Sequence, residues 1–369
     1  MTVRIGVLTG GGDCAGLNST LKWVTKTAVD PLLARWRDED IEVLGIRDGW
    51  RGLVEVVPGD PESLKRWLWP LDELVVRTWD RYGGTQLGTS RTNPFNPADD
   101  RSQTVLANLE ALNIHALVAI GGEDTLSVAY RLHQLGVKVV GIPKTIDRDL
   151  SGTDYTLGYD SALNVITEEV DRLRTTAGSH SRVFVVETMG RHAGWLALEG
   201  GEAAGALVIL IPEWDFEVSR VCELLQQRRD LGVRYDIVVI SEGAKVKGEG
   251  EVYLSDKTDG FGHKVLGGIG RFLGKEIERL TGMETRHVVL SHLQRGGQPS
   301  AMDRLMGRRF GIAAVDLILE EDYGRMVAYR HGEITSVPLK TAIEKLNTVD
   351  VARLYDTERY NGRRSALMA

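Results

Sequence analysis

Short apolar runs alternate along this chain with longer stretches of mixed pattern, and most runs stop at glycines or charged residues. Val3 to Thr9 is the first such run and ends at Gly10-Gly11-Gly12-Asp13; a helical pattern follows from about Leu17 to Leu33. Ile41 to Ile46 reads as a second strand, with a turn at Asp48-Gly49-Trp50-Arg51-Gly52. The segment around Arg81-Tyr82-Gly83-Gly84-Thr85 and Leu87 to Pro94 has few periodic apolar positions, which predicts a loop built for contacts. From Arg101 the alternation is regular: a helix to Leu112, a strand over His115–Ile120 ending at Gly121-Gly122-Glu123-Asp124-Thr125, then another helix. A strand over Val137–Val140 opens onto the loop Gly141-Ile142-Pro143-Lys144-Thr145-Ile146-Asp147-Arg148-Asp149-Leu150. Further strands are expected at Arg182–Thr188, Ala206–Ile211, Tyr235–Ile240 and His287–Leu290, most of them separated by helical stretches. Near-continuous apolar strands alternating with helices predict an α/β fold with parallel sheets covered on both faces.

At 369 residues the chain exceeds one small core, so two domains are expected. With no long linker visible, the two are expected to share an interface. The formal net charge of -7 argues against broad nucleic-acid or anionic-membrane binding, while leaving room for local basic pockets. Cys14 and Cys222 are too far apart in sequence to support a disulfide framework, which points to a reducing compartment. No secretory leader pattern and no run near the ~20 apolar residues of a membrane span is present, so a cytoplasmic location is expected.

The polar clusters sit where strands end, and in open parallel sheets ligands bind beyond the C-terminal strand ends. Thr9-Gly10-Gly11-Gly12-Asp13 would let backbone N–H groups face an anion at a helix start, although a glycine turn serves tight packing equally well. It matches neither a Walker A loop nor the dinucleotide GxGxxG. Acids beside a second glycine turn, at Glu123 and Asp124, make sense where a divalent cation bridges them to phosphate. Lys144 with Asp147 and Asp149 crowds a cation and two carboxylates into one loop, fit to handle protons and phosphate. Met189-Gly190-Arg191-His192, Ser241-Glu242-Gly243 and Ser291-His292-Leu293-Gln294-Arg295-Gly296-Gly297 add polar groups at three more strand ends. Each Arg or His alone is more often a surface residue; the recurrence is the signal.

From Val3 to roughly Val315 these motifs resemble the phosphofructokinase family. The residues that carry the likeness are Gly11-Gly12-Asp13, Gly121-Gly122-Glu123-Asp124-Thr125, Pro143-Lys144-Thr145-Ile146-Asp147, Met189-Gly190-Arg191 and Gln294-Arg295-Gly296-Gly297. The resemblance implies two Rossmann-like parallel-sheet domains with the active site between them. It assigns 1–158 with roughly 294–344 to the phosphoryl donor and 159–293 with roughly 345–369 to the sugar phosphate. It implies Mg2+-dependent phosphoryl transfer to the C1 hydroxyl of fructose 6-phosphate. In that reading Asp147 is the base, Thr145 places the migrating group, Arg191 stabilises transition-state charge, and Glu123 and Asp149 hold or orient the metal. Gly11, Gly12, Arg91 and Gly122 match donor positions, and Met189, Gly190, Glu242, Arg286, His292 and Arg295 grip the sugar phosphate. Arg182 matches an arginine that reaches a neighbouring subunit's site, which implies a homo-oligomer, dimer or tetramer, with shared active sites.

Members that use ATP typically carry glycine at the positions of Asp124 and often Lys144. Asp124 adds bulk and negative charge near the place of an α-phosphate, and Lys144 offers a cation to a compact donor. The pair resembles the pyrophosphate-dependent bacterial members, whose reaction is close to reversible. The alternatives are an ATP-dependent 6-phosphofructokinase, the same chemistry on another ketose phosphate such as sedoheptulose 7-phosphate, and a non-catalytic binding or regulatory subunit. Where the family usually has Asn, this chain has Arg148; its charge is expected to lower the pKa of Asp147 and add a phosphate contact, the alternatives being a side chain turned to solvent or an altered acceptor.

Overall fold

In the computed structural model of the protein, residues 2–30, 40–248, 253–258 and 264–364 are described. Two sheets dominate. The larger is seven-stranded and built from β1 (Thr2–Thr9), β2 (Asp40–Ile46), β3 (Leu68–Leu71), β4 (Ala116–Gly121), β5 (Val139–Pro143), and, from the far end of the chain, β10 (Arg325–Arg330) and β11 (Glu333–Pro338). The smaller holds β6 (Val183–Thr188), β7 (Val208–Leu210), β8 (Asp236–Ser241) and β9 (Thr285–Val289). The spatial orders are β11-β10-β5-β4-β1-β2-β3 and β9-β6-β8-β7. All pairs in the smaller sheet are parallel; in the larger one β3 and β11 close the two edges antiparallel. The expectation of parallel sheets therefore holds for the centres and not for the edges of the larger sheet.

Strands buried on both faces explain the parallel centres, for β4, β5, β6 and β8 expose no residue. Successive side chains feed two cores: Ile5 and Val7 face one apolar cluster, Leu8 the other. The first of these clusters runs on through Ile142, Ile146, Leu157 and Tyr159 to Val183 and Val186, so apolar packing joins the two sheets. Helix α1 (Leu17–Val29) lies against the long α5 (Ala301–Leu319), while α2 (Glu123–Gln134) follows β4, α3 (Tyr159–His180) precedes β6, and α4 (Trp195–Ala203) precedes β7. The expected first helix stops at Val29, and its predicted end to Leu33 lies outside the described residues, as do 365–369 of the tail.

One boundary matters for chemistry. The strand expected at Val137–Val140 runs instead over Val139–Pro143, since Gly141, Ile142 and Pro143 pair with Ala119, Ile120 and Gly121. Proline is tolerated there because it is the last strand residue and the ladder passes to the Lys144 N–H, which donates to Gly121. The loop therefore begins at Lys144, directly beside the glycine turn after β4.

Candidate active site

The glycine turn after β1 is braced from three sides. Gly11 adopts φ +76°, a left-handed conformation suited to glycine. Its N–H donates to Ser90, and its carbonyl accepts from the Thr89 hydroxyl at 2.6 Å. The Lys144 ammonium donates to the Gly12 carbonyl at 2.5 Å, and Arg295 donates to the Asp13 carbonyl at 3.1 Å. The predicted contact loop supplies the rest: Asn18 donates to the Tyr82 and Gly83 carbonyls, and Thr9 to that of Gly88. Arg91 lies exposed at its rim.

Gly122 caps α2, placing Glu123 and Asp124 in its first turn, where the helix dipole favours negative charge. Lys144 is buried, and burial is the largest influence lowering its pKa; Cys14 acts in the opposite direction. The Thr145 hydroxyl accepts the Asp147 N–H at 3.1 Å, while the Thr145 carbonyl accepts from Thr156 at 2.6 Å. Asp147 presents a buried Oδ1 with no hydrogen-bond partner. Burial raises its pKa against the pull of Arg295, Arg191, Lys144 and His192. Asp149 is pushed up to about 7, first by burial and then by the negative charge of Asp147, with Glu123 adding to the effect.

The facing wall of the site comes from the smaller sheet. Met189 is buried after β6, and Gly190 takes φ +126°, with its carbonyl accepting from the Ser241 hydroxyl and the Gly243 N–H. Arg191 and Glu242 thus stand on adjacent, zipped strand ends. Glu242 is pushed up to about 7 by burial and by Asp147, with Arg191 opposing. His292 and Arg295 lie in the short helical turn Ser291–Arg295; His292 is exposed, and the Arg295 guanidinium packs on Gly12. Arg295, expected on the sugar-phosphate side, therefore touches the glycine turn after β1.

Arg182 and Arg286 are not brought to this cleft. Both flank the N-terminal ends of β6 and β9, where each pairs with Glu284, at 2.7 Å and 2.5 Å. Arg191 follows the C-terminal end of the six-residue β6, roughly 17 Å of extended chain away.

Arg148 departs from expectation. Its backbone takes φ +54°, and its guanidinium turns away from Asp147 to Glu199 Oε1 at 2.7 Å, over the rings of Trp195 and Tyr159. The cations acting most on Asp147 are the other four, and the net direction is upward through burial, opposite to the lowering expected from Arg148. Sequence reasoning also missed Glu199, Asn347 and Asp303. Asp303, wholly buried, accepts from Tyr155, the Gly158 N–H and both the N–H and hydroxyl of Ser161. A Ser300-x-x-Asp303 start to α5 is the local signal that marked it.

No group of three or more His, Cys, Asp or Glu arranged to hold a metal occurs among the described residues. Glu123 and Asp149 nonetheless fit Mg2+, which is held by one or two carboxylates and completes its shell with water and substrate phosphate. The mutual charge of Asp149, Asp147 and Glu123 is what a bound cation relieves.

The phosphofructokinase family profile matches residues 4–318. The chain belongs to the phosphofructokinase family. It is 49% identical over 356 residues to the pyrophosphate--fructose 6-phosphate 1-phosphotransferase of Streptomyces coelicolor, covering 96% of this chain and 98% of that one. It is 44% identical over 352 residues to the ATP-dependent 6-phosphofructokinase of Chloroflexus aggregans, covering 94% and 92%. Among solved structures, a pyrophosphate-dependent phosphofructokinase from Marinobacter aquaeolei superimposes with a TM-score of 0.81 at 23% identity, over 98% of this chain and 89% of that one. The phosphofructokinase of Saccharomyces cerevisiae gives 0.76 at 30% identity, over 93% of this chain and 45% of that longer chain. The two-sheet architecture is that of the family. No helix among the described residues is long and apolar enough to cross a membrane.

Proposed function

We propose that the protein transfers a phosphoryl group from pyrophosphate to the C1 hydroxyl of fructose 6-phosphate, with Mg2+. The observation that carries this reading is Asp147, a buried carboxyl with a free Oδ1 at the meeting point of both sheets' strand ends, ringed by Arg295, Arg191 and Lys144. A carboxylate held up by burial is a stronger base, so Asp147 takes the hydroxyl proton as the oxygen attacks. Thr145, fixed by Thr156 and Asp147, orients the migrating group, and Arg191 offers planar donors to its oxygens. Gly11, Gly12, Gly122 and Arg91 line the donor side, and Met189, Gly190, Glu242, His292 and Arg295 the acceptor side. Glu123 and Asp149 would hold Mg2+, which supplies charge neutralisation of the phosphates when bound.

We assign residues 1–158 with 294–344 to the donor domain and 159–293 with 345–369 to the sugar-phosphate domain; β10 and β11 support the first grouping by returning to the larger sheet. Arg182 and Arg286 sit at the far strand ends, which supports their use in a neighbouring subunit's site and hence a homo-oligomer. A cytoplasmic setting accords with Cys14 and Cys222 both being free thiols.

Donor choice rests on residues rather than on overall likeness, since relatives named for either donor lie at 44–49% identity. Asp124 in the first turn of α2 repels the α-phosphate of a nucleotide, and Lys144 beneath the glycine turn favours a compact anion. Assaying the purified protein with Mg2+, fructose 6-phosphate and each donor tests this: turnover is expected with pyrophosphate and not with ATP. Asp124→Gly, alone and with Lys144→Gly, is expected to admit ATP. Turnover with ATP alone in the wild type would overturn the assignment of donor.

A further inference from the structure

The side chain that the loop holds between its two acids pairs with neither of them and reaches Glu199, Trp195 and Tyr159 instead. Arg148 adopts φ +54°, a conformation that costs a non-glycine residue energy and persists where surrounding contacts impose it. Those contacts are visible. The Arg148 carbonyl accepts from the Asn347 side chain at 2.9 Å, and the Asp149 carbonyl accepts from the Asn347 N–H at 2.7 Å. The Arg148 guanidinium reaches Glu199 on α4 at 2.7 Å, while the other Glu199 oxygen accepts from Tyr159 at 2.7 Å. The guanidinium carbon stands 4.7 Å from the centre of the Trp195 ring and 5.3 Å from that of Tyr159, within cation–π range of both. Trp195 in turn donates its indole N–H to the Asn347 carbonyl at 2.9 Å, which closes the circuit.

These contacts span pieces that are distant in sequence. Asp147 and Asp149 belong to the loop after β5 of the larger sheet. Glu199 and Trp195 lie on α4, the helix that follows directly from Met189-Gly190-Arg191 and leads into β7 of the smaller sheet. With the left-handed turn at 148 its side chain goes to Glu199, while the flanking acids act on one another.

We propose that Arg148 is a positioning residue, a clasp that locks the Asp147 loop to the Arg191-bearing end of the smaller sheet through Glu199, Trp195 and Asn347. The inference rests on the proposed phosphoryl transfer and deepens it. The distance between base and transition-state arginine is then set by a side chain that touches neither substrate. Lysine keeps the charge but lacks the planar fork that meets Glu199 while lying over both rings, so it is a poor substitute.

The test uses the full-length protein and steady-state kinetics with fructose 6-phosphate and magnesium pyrophosphate. Wild-type turnover is the control for the functional reading: its absence removes that reading, and the clasp with it, before any variant is compared. Given wild-type turnover, Arg148→Ala is expected to lower kcat on the order of 100-fold, since a misplacement of about 1 Å costs that much, with both KM values within about threefold. Glu199→Gln, which keeps the shape of its site, is expected to lower kcat by a smaller factor, and the double variant to be no worse than Arg148→Ala alone. Arg148→Lys is expected to recover less than half of the lost activity. Rates are expressed per folded subunit from thermal unfolding of each variant. Wild-type kcat in folded Arg148→Ala, or losses for Arg148→Ala and Glu199→Gln that simply multiply, would overturn the proposal.

Discussion

Glycine at position 243 offers a test of how tightly the acceptor side is built. A Cβ placed there would lie 2.0 Å from the Arg191 carbonyl oxygen, 2.8 Å from its carbon and 2.9 Å from the Gly190 oxygen. These are backbone atoms, so no side-chain rotation relieves the overlap. A nonbonded carbon and oxygen need about 3 Å, so Gly243→Ala must move the Arg191 segment by about 1 Å. The same opening strains the bonds that zip the two strand ends, from Gly243 N–H to Gly190 at 3.2 Å and from Glu242 N–H to Thr188 at 2.8 Å. Overpacking of this kind costs about 1–3 kcal/mol of stability. With Arg191 in its proposed role of stabilising transition-state charge, a 1 Å displacement costs roughly 100-fold in rate, or about 2.7 kcal/mol at the transition state. The assay is kcat and KM for each substrate together with Tm. We expect kcat down about 100-fold, KM for pyrophosphate within about twofold because its turns lie on the other sheet, and Tm down by a few degrees. Gly274→Ala is the matched control: its nearest contact would be Thr285 at an ordinary 3.6 Å, and helix propensity favours alanine by about 1 kcal/mol. A Gly243→Ala enzyme with kcat within about threefold of wild type would refute the claim that Arg191 is held to sub-ångström tolerance.

Other consequences are as direct. Asp303→Ala leaves four donors without their acceptor and is expected to cost about 3–5 kcal/mol in denaturant unfolding, with Asp303→Asn milder. Glu242, raised to about 7 from 4.5, favours the folded state when protonated; that contribution is full below pH 4.5 and is lost as pH rises through 7. Glu242→Gln should therefore raise the stability of the ligand-free protein at pH 8, by about 1–2 kcal/mol after allowance for water in the cleft, and leave it nearly unchanged at pH 4.5. If Arg182 serves a neighbour's site, mixing inactive Asp147→Asn with inactive Arg182→Ala subunits should restore up to about a quarter of wild-type activity on reassembly; no recovery after verified exchange counts against shared sites.

The central strands and the polar clusters at their ends were legible because they are local. Apolar runs such as Ala116–Ile120 and Ile237–Ile240 announce buried strands, and glycines and acids follow at once. The antiparallel edges were not legible. Leu68–Leu71 is four residues with a proline, and the hairpin over Arg325–Pro338 mixes apolar and charged positions as an edge does. The buttresses of the site were hidden for a different reason: Asp303 meets Ser161, and Asn347 meets Arg148, across distances that leave no periodic trace. The role of Arg148 stayed open in the sequence. Its place in the loop allowed action on Asp147, a phosphate contact or exposure to solvent, and only the left-handed turn reveals its pairing with Glu199.

The order of strands in the larger sheet also has a consequence for how the protein is made. β5 pairs on one side with β4, close behind it in the chain, and on the other with β10, through Val140 with Arg325 and Gly141 with Met326. During synthesis the β5 edge emerges from the ribosome and waits, on the order of ten seconds at ordinary elongation rates, for its partner to be translated. Through that interval the apolar flank of the strand that leads into Lys144 and Asp147 is an open template for another chain. Truncated fragments that end before β10 are thus expected to associate through that edge, and slow elongation between residues 143 and 325 to be where nascent chains are lost to aggregation.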